Sequence, residues 1–410
     1  MTRRDFLRSG AAAAAGASLA PAAFPSVQPG ERPAPPEAAA PPLPPPPPRA
    51  QYEDRIARVQ ELLRAAKVEA LLEVPGPGML YLTGLALERS DRLVGVVVPA
   101  SGPISLYCPL ADQALAAEGP LPIEDVRLWE ERDDPIALLS KHIRKLDVSR
   151  LAIGSRCWYD EFASIHGEMP KVTLVTTSAF VGALRERKSP EEMALVAAAA
   201  SIAEQAAETA LAGAREGMRE ADLAEAAEDR VRSAGAAAVV AAQSGPNTAV
   251  PRRPAGERRL AAGDVVVVIV SAQVRGYWAE VARTGVLGRP TGRMKLIHET
   301  LRTAQDLALE RARPGAIASS VDQIARAAVG GRGFAKFYLH SLGRGLGLER
   351  IELPHLSPGY LGALGSGAPI TLAPGVYTPG EYGIRIGDVM ELTPDGSRLL
   401  TTPPAELTSI

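Results

Sequence analysis

Apolar positions first recur at helical spacing after Tyr52, where Ile56, Val59, Leu62 and Leu63 mark one face of a helix. The run from Ala70 to Val74 then reads as a strand, and Val94 to Val98 and Ile104 to Tyr107 read as two more. Helix and strand alternate through Phe180, which predicts an α/β domain. Beyond it the pattern changes. Alanine-rich helical stretches run to Leu211 and from Ala221 to Ala234, with Gly217-Met218-Arg219-Glu220 between them. Val265 to Val270 is an unbroken β-branched run, the mark of a strand buried on both faces. Helical spacing returns over Met294 to Arg311 and Ser320 to Ala328, on either side of a Pro314-Gly315 turn.

The two patterns meet at Leu184-Arg185-Glu186-Arg187-Lys188-Ser189-Pro190-Glu191-Glu192. Ser189 is placed to cap a helix whose first turn holds a proline and two acids, as the helix dipole favours. Ahead of Tyr52 there is no periodicity. Arg3-Arg4, followed by Phe6-Leu7-Arg8 and a weakly apolar stretch from Gly10 to Phe24, has the order of a twin-arginine export signal. Ala20, Ala22 and Ala23 offer small residues for cleavage, so the protein is expected to be exported to the periplasm or beyond. Pro44 to Pro48 closes a proline-rich segment suited to an extended spacer. The expected organisation is a signal over 1–24, a linker over 25–50, an α/β domain over 51–183 and a second domain over 184–410.

Composition narrows the function. The 410 residues suffice for two cores, and 45 basic against 47 acidic residues leave a net charge of -2, without the basic excess of a nucleic-acid binder. The two cysteines, Cys108 and Cys157, lie in no metal-ligand spacing and read as small buried residues. No apolar run reaches the roughly twenty residues of a transmembrane anchor.

The candidate chemistry lies in Phe337 to Pro354, FYLHSLGRGLGLERIELP. Its alternating glycines are not a dinucleotide fingerprint, because no helix starts at them and Glu352 and Pro354 follow instead. They suit a strand that passes close to other backbone or to a ligand. The segment resembles HGxGHGIGLxxHExP of the creatinase and aminopeptidase P family, with His340, Gly343, Gly345, Gly347, Leu348, Glu352 and Pro354 in register. Arg344 and Ile351 stand where that family has its later histidines. Further strings agree in order: Tyr81-Leu82-Thr83-Gly84, Gly245-Pro246-Asn247, Gly276-Tyr277, Arg283-Thr284, Pro374-Gly375-Val376-Tyr377 and Gly383-Ile384-Arg385-Ile386. The resemblance implies an α/β (α+β) protein: a small creatinase-like amino-terminal domain, which in the family mediates subunit contacts, followed by a pita-bread fold. A homo-oligomer is therefore compatible with it.

In active relatives two aspartates, a histidine and two glutamates hold two divalent ions, manganese, zinc or cobalt, that activate water for attack on a peptide bond before proline. Those positions are Ile269, Glu280, Arg344, Ala373 and Gly387 here. Isoleucine, alanine and glycine have no donor side chain, and a guanidinium has no lone pair. Arg252 replaces a further histidine that moves protons in the family, and an arginine stays charged at neutral pH. The expectation is no metal cofactor and no catalytic residue, hence a pseudoenzyme. Its cleft would hold Arg252, Glu280, His340, Arg344, Glu352 and Arg385, with Glu280 and Glu352 as counter-ions to the arginines, and would take a peptide or small anion. Alternatives are a structural role, an active metallo-aminopeptidase, a metal-free creatinase-like hydrolase, or a metal site relocated to Asp388, His340, His355 or Glu349.

Overall fold

A computed structural model describes residues 42–410. The expected signal and the linker as far as residue 41 lie outside the described residues. The linker's last part differs from a free spacer. Residues 42–48 form no helix or strand, Leu43 packs against the core, and the Pro44 carbonyl accepts from Arg275 Nε at 2.8 Å. The first helix begins at Arg49, two residues before the expected domain start.

The first domain runs α1 (Arg49–Ala66), β1 (Ala70–Glu73), α2 (Pro77–Thr83), β2 (Gly95–Pro99), β3 (Ser105–Pro109), α3 (Gln113–Ala117), β4 (Asp125–Trp129), α4 (Pro135–Lys145), β5 (Arg150–Ile153), α5 (Tyr159–Glu168), β6 (Thr173–Thr176) and α6 (Val181–Glu186). Its six strands lie in the order β4-β3-β2-β1-β5-β6. Leu72, Val97 and Leu151 pack on one face, and Leu71, Val96 and Val98 on the other. This two-sided burial explains why β1 and β2 read as continuous apolar runs.

The second domain opens with α7 (Pro190–Gly213) and α8 (Glu220–Ser233), then β7 (Ala237–Ser244), β8 (Val265–Val274) and β9 (Tyr277–Val286). Ser189 caps α7 as expected and forms a full capping box with Glu192. After α9 (Gly292–Arg311) and α10 (Ala318–Gly331) come β10 (Gly343–Gly345), β11 (Glu352–Leu356), β12 (Pro369–Leu372), β13 (Gly375–Thr378), β14 (Tyr382–Arg385), β15 (Asp388–Thr393), β16 (Gly396–Leu399) and β17 (Thr408–Ser409). Their sheets are β17-β9-β8-β7, β11-β10-β12-β15-β16 and the pair β13-β14.

Strand β8 carries the expected apolar run and divides it by face. Val266, Val268 and Val270 join the core around α7, while Val265, Val267 and Ile269 join the core built from α9, α10 and the five-stranded sheet. Alanines 199, 203, 206 and 210 of α7 are buried at helical spacing, which brings that helix close to the β8–β9 hairpin.

Arg283 on β9 joins these layers. It is 1% exposed and pairs with Asp388 at 3.1 Å and with Glu204 of α7 at 2.7 Å, and it also donates to the Gly387 carbonyl at 2.9 Å. Removing one partner of a buried pair strands the other charge. Arg283→Ala should therefore cost about 3–5 kcal/mol, read as a lower urea midpoint at unchanged m-value. A loss below about 1 kcal/mol would show that Asp388 does not depend on it.

Candidate functional site

The β8–β9 hairpin fixes the site's first wall. Ile269 lies opposite Ala282 and Ser271 opposite Glu280, so Ile269 and Glu280 project from one face, a diagonal step apart. The Thr371 hydroxyl of β12 lies 3.4 Å from the Glu280 carbonyl, and the Thr284 hydroxyl donates to the Arg385 carbonyl at 2.5 Å. Gly387 exchanges backbone hydrogen bonds with Ala282, both at 3.0 Å. Hairpin, β12, β14 and the turn into β15 thus meet around Glu280.

The alternating glycines act as the sequence suggests. A Cβ at Gly343 would lie 2.0 Å from the Thr371 carbonyl oxygen, and one at Gly345 would lie 2.1 Å from that of Leu353. Only glycine lets β10 run between β11 and β12 and bring Arg344 inward.

The Glu280 carboxylate is 6% exposed and receives three donors. Arg344 Nη2 donates to Oε2 at 2.7 Å, Arg385 Nη2 to Oε1 at 2.8 Å and the Ser271 hydroxyl to Oε2 at 3.2 Å. Burial alone would raise the pKa of this carboxyl. The two guanidiniums and Ser271 outweigh burial and hold it below the usual glutamate range. Arg344 is itself held, since its Nε donates to the Arg350 carbonyl at 3.0 Å.

His340 is close enough to feel the charges of Arg385 and Arg344. Its Nδ1 is 2.8 Å from the Ser341 carbonyl, which can only accept, so Nδ1 carries the proton and Nε2 accepts from the Tyr377 hydroxyl at 2.8 Å. Burial, then the charges of Arg385 and Arg344, push its pKa down to about 4, so the ring is neutral at pH 7.

Two expected members lie elsewhere. Glu352 is buried, but its partners are Arg185 of α6 and Lys188, the latter at 2.9 Å, rather than Arg344 or Arg252. Burial raises its pKa, but Lys188 and Arg185 overcome that and hold it below the usual glutamate range. Its place follows from the strand's alternation, which sends Glu352 toward the domain boundary. Arg252 is exposed at the tip of a turn, in a separate cavity with Arg253 and Arg258. The charges that act on Glu280 come from Arg344 and Arg385. Sequence reasoning missed Ser271, Tyr377, Arg185 and Lys188. The last three lie in strings that had been read for register or boundary alone, and nothing in the local sequence singles out Ser271.

The family's metal pair does not fit these side chains. Ile269 is packed in the apolar core, and Ala373 is buried with its N–H donating to the Leu342 carbonyl at 2.8 Å. A Cβ at Gly387 would meet that of Ala282 at 2.9 Å, leaving no room for a glutamate without movement. The relocated candidates are dispersed. Asp388 pairs with Arg283, Glu349 with Arg185 and Arg156, and His355 lies against Tyr360. Among the described residues no group of three or more histidines, cysteines or acids is arranged to hold a metal.

Comparison with known proteins matches residues 194–394 to metallopeptidase family M24 and residues 55–187 to the creatinase/prolidase N-terminal domain. The chain is 30% identical over 359 residues to a Xaa-Pro dipeptidase of Pyrococcus horikoshii, covering 86% of this chain and 98% of that protein. It is 31% identical over 370 residues to the probable dipeptidase PepE of Mycobacterium tuberculosis, covering 87% and 96%. Among solved structures, dipeptidase PepE from Mycobacterium ulcerans matches with a TM-score of 0.82 at 27% identity, covering 88% of this chain and 98% of that one. The prolidase from Thermococcus sibiricus also matches at 0.82, with 28% identity and coverage of 88% and 99%.

The depressed pKa of Glu280 sets a pH dependence. A carboxyl whose folded value lies below its ordinary 4.5 stabilises the fold fully above that value, and the contribution drains as pH falls through the folded value. Glu280→Gln should therefore lower the melting temperature clearly at pH 7, and the gap to the parent should narrow on acidification below 4.5. A gap that stays constant down to pH 3 would mean that the carboxylate's charge does not hold the site together.

Proposed function

Because the chain belongs to metallopeptidase family M24, with a creatinase/prolidase N-terminal domain ahead of it, we propose that it is an exported, non-hydrolytic member of that family. In this reading the place of the metal pair is taken by an internal ion-pair cluster. The observation that carries it is the state of Glu280: the one carboxylate left among five ligand positions is spent on Arg344 and Arg385. An arginine facing a metal site opposes the cation it would have to admit, and the other three positions contribute no donor.

The cluster has two guanidiniums against one carboxylate, leaving one positive charge unanswered. A peptide's carboxylate, or another small anion, is the ligand chemistry that suits it, because a guanidinium fork matches carboxylate geometry. Neutral His340, with Tyr377 donating to it, supplies a polar but uncharged neighbour. No nucleic acid is proposed as a partner, while a second copy of the chain is compatible with the domain organisation.

One observation favours a second reading, a working Xaa-Pro peptidase: the similarity spans nearly the full length of relatives named as dipeptidases. A single set of measurements separates the two. Protein purified without chelator is expected to hold far less than one manganese, zinc or cobalt per chain and to leave an Xaa-Pro dipeptide intact. Near-stoichiometric metal with hydrolysis abolished by a chelator would overturn the non-hydrolytic reading in favour of a metalloenzyme. Hydrolysis unaffected by the chelator would overturn it in favour of metal-free chemistry.

Export rests on Arg3-Arg4 and the apolar stretch after them. Replacing both arginines with lysine should retain the protein in the cytoplasm of an expressing bacterium. Unchanged appearance outside the cytoplasmic membrane would dismiss the twin-arginine route.

A further inference from the structure

We propose that the turn from Val250 to Arg253, with the loop behind it, forms a second ligand site that binds a phosphate-type oxyanion independently of the Glu280 cluster. The site is a cavity of ≈ 630 Å³ whose lining includes Arg252, Arg253 and Arg258.

The turn is built to hold its shape. Pro251 fixes the backbone at its second position, and the Arg253 N–H closes it on the Val250 carbonyl at 3.1 Å. From beneath, the Gln243 amide, 2% exposed, donates to the Val250 carbonyl at 3.0 Å and to that of Arg253 at 2.6 Å. One buried amide therefore grips both ends, and Arg252 stands at the tip. A ligand meeting such a turn does not have to order it, which lowers the entropic cost of binding.

The charges around the cavity are committed unequally. Glu220, fully buried, accepts from the Ser244 N–H and hydroxyl at 2.7 and 2.8 Å and from the Asn247 amide at 3.0 and 3.1 Å. That bond orients Asn247, whose carbonyl oxygen then accepts from Arg253 Nη1 at 3.0 Å. Glu220 thus aims Arg253 without pairing to it. Glu257 pairs with Arg219 at 3.1 Å, and Arg258 spends its fork on Asp264 at 2.6 and 3.0 Å. Among the described residues neither Arg252 nor Arg253 forms an ion pair. The guanidiniums of two consecutive residues, one pre-aimed and one on a turn tip, remain without a carboxylate. Oxygen anions with several acceptor positions, phosphate above all, are what such a pair binds through forked, charge-assisted bonds.

The phosphate could belong to a soluble ester or to a lipid headgroup, and the experiment separates the two. Inorganic phosphate is titrated into the full chain at constant ionic strength, followed by thermal shift and phosphorus NMR line width. The parent should saturate, and Arg252→Ala combined with Arg253→Ala should bind at least tenfold more weakly. Both residues are exposed, so folding should be unaffected. Asn247→Ala, which releases Arg253 without removing its charge, should weaken binding by a smaller factor. A response that never saturates, or equal binding by the double variant, would overturn the proposal and move the phosphate to Arg344 and Arg385. In a parallel arm, sedimentation with phosphatidylglycerol vesicles that phosphate displaces and the double variant loses would assign the site to a lipid headgroup. Phosphate binding without sedimentation would assign it to a soluble ester. Sedimentation that survives the double variant would count against the site.

Discussion

The carboxylate of Glu280, held between Arg344 and Arg385, is the constraint on which the second domain's interior depends. It projects from β9, Arg344 from β10 and Arg385 from the end of β14, so a single acid ties three sheets together. At about 4 Å and an effective dielectric of about 20, a pair of unit charges attracts by about 4 kcal/mol, enough to offset much of the cost of burying them. The fit is also one of charge number. A site with four facing carboxylates is stable only when cations screen them, whereas one carboxylate facing two guanidiniums is stable by itself. The bonds that would link these strands through shared metal ions are supplied here by hydrogen-bonded ion pairs within the chain.

The surroundings have closed on that arrangement. Ile269 turns what would be a ligand position into part of the apolar core, and Gly387 allows its backbone to bond directly to Ala282. Restoring a single acid at either place would put an unpaired carboxylate into apolar packing or against a neighbouring Cβ. A single acid placed at either position would therefore lack the partners that a metal pair requires.

How much of this was legible in the sequence depended on the kind of interaction. Val265 to Val270 announced its strand because β-branched residues in an unbroken run have few other uses, and the capping box at Ser189 is written in four adjacent residues. The alternating glycines foretold close backbone contacts correctly, since a missing Cβ constrains any fold that contains it. Partner choice was harder. Register placed Arg252 and Glu352 beside residues of the candidate site, but register does not give side-chain direction. A proline-fixed turn carries Arg252 outward, and strand alternation turns Glu352 to the domain boundary. The proline-rich segment misled in another way: composition rules out helix and central strand, yet it does not forbid docking, and Leu43 packs against the core while the neighbouring Pro44 carbonyl accepts from Arg275, 231 residues further along the chain.

The first domain takes part in the same construction. Arg55 of α1 lies over the rings of Tyr52 and Tyr81 and pairs with Glu192 at 3.1 Å, and Glu192 in turn accepts from the Tyr277 hydroxyl at 2.8 Å. Tyr277 opens β9, three residues before Glu280. On the other side Arg185 and Lys188 reach Glu352, which lies across the ladder from Gly345, next to Arg344. The domain boundary is thus anchored to β9 through a tyrosine hydroxyl and to β11, the neighbour of β10, through a buried carboxylate. Glu73 adds a third buried acid there: burial pushes it up to about 7 against the pull of Thr177 and Arg185, with Glu349 pushing it further. At neutral pH that boundary consequently holds the ionised Glu352, kept below the usual glutamate range by Lys188 and Arg185, beside one carboxyl near its midpoint. The Glu352 clamp beside β10 thus keeps its charge as pH falls through neutrality, while Glu73, at the end of β1 in the first domain, is the acid whose charge changes near pH 7.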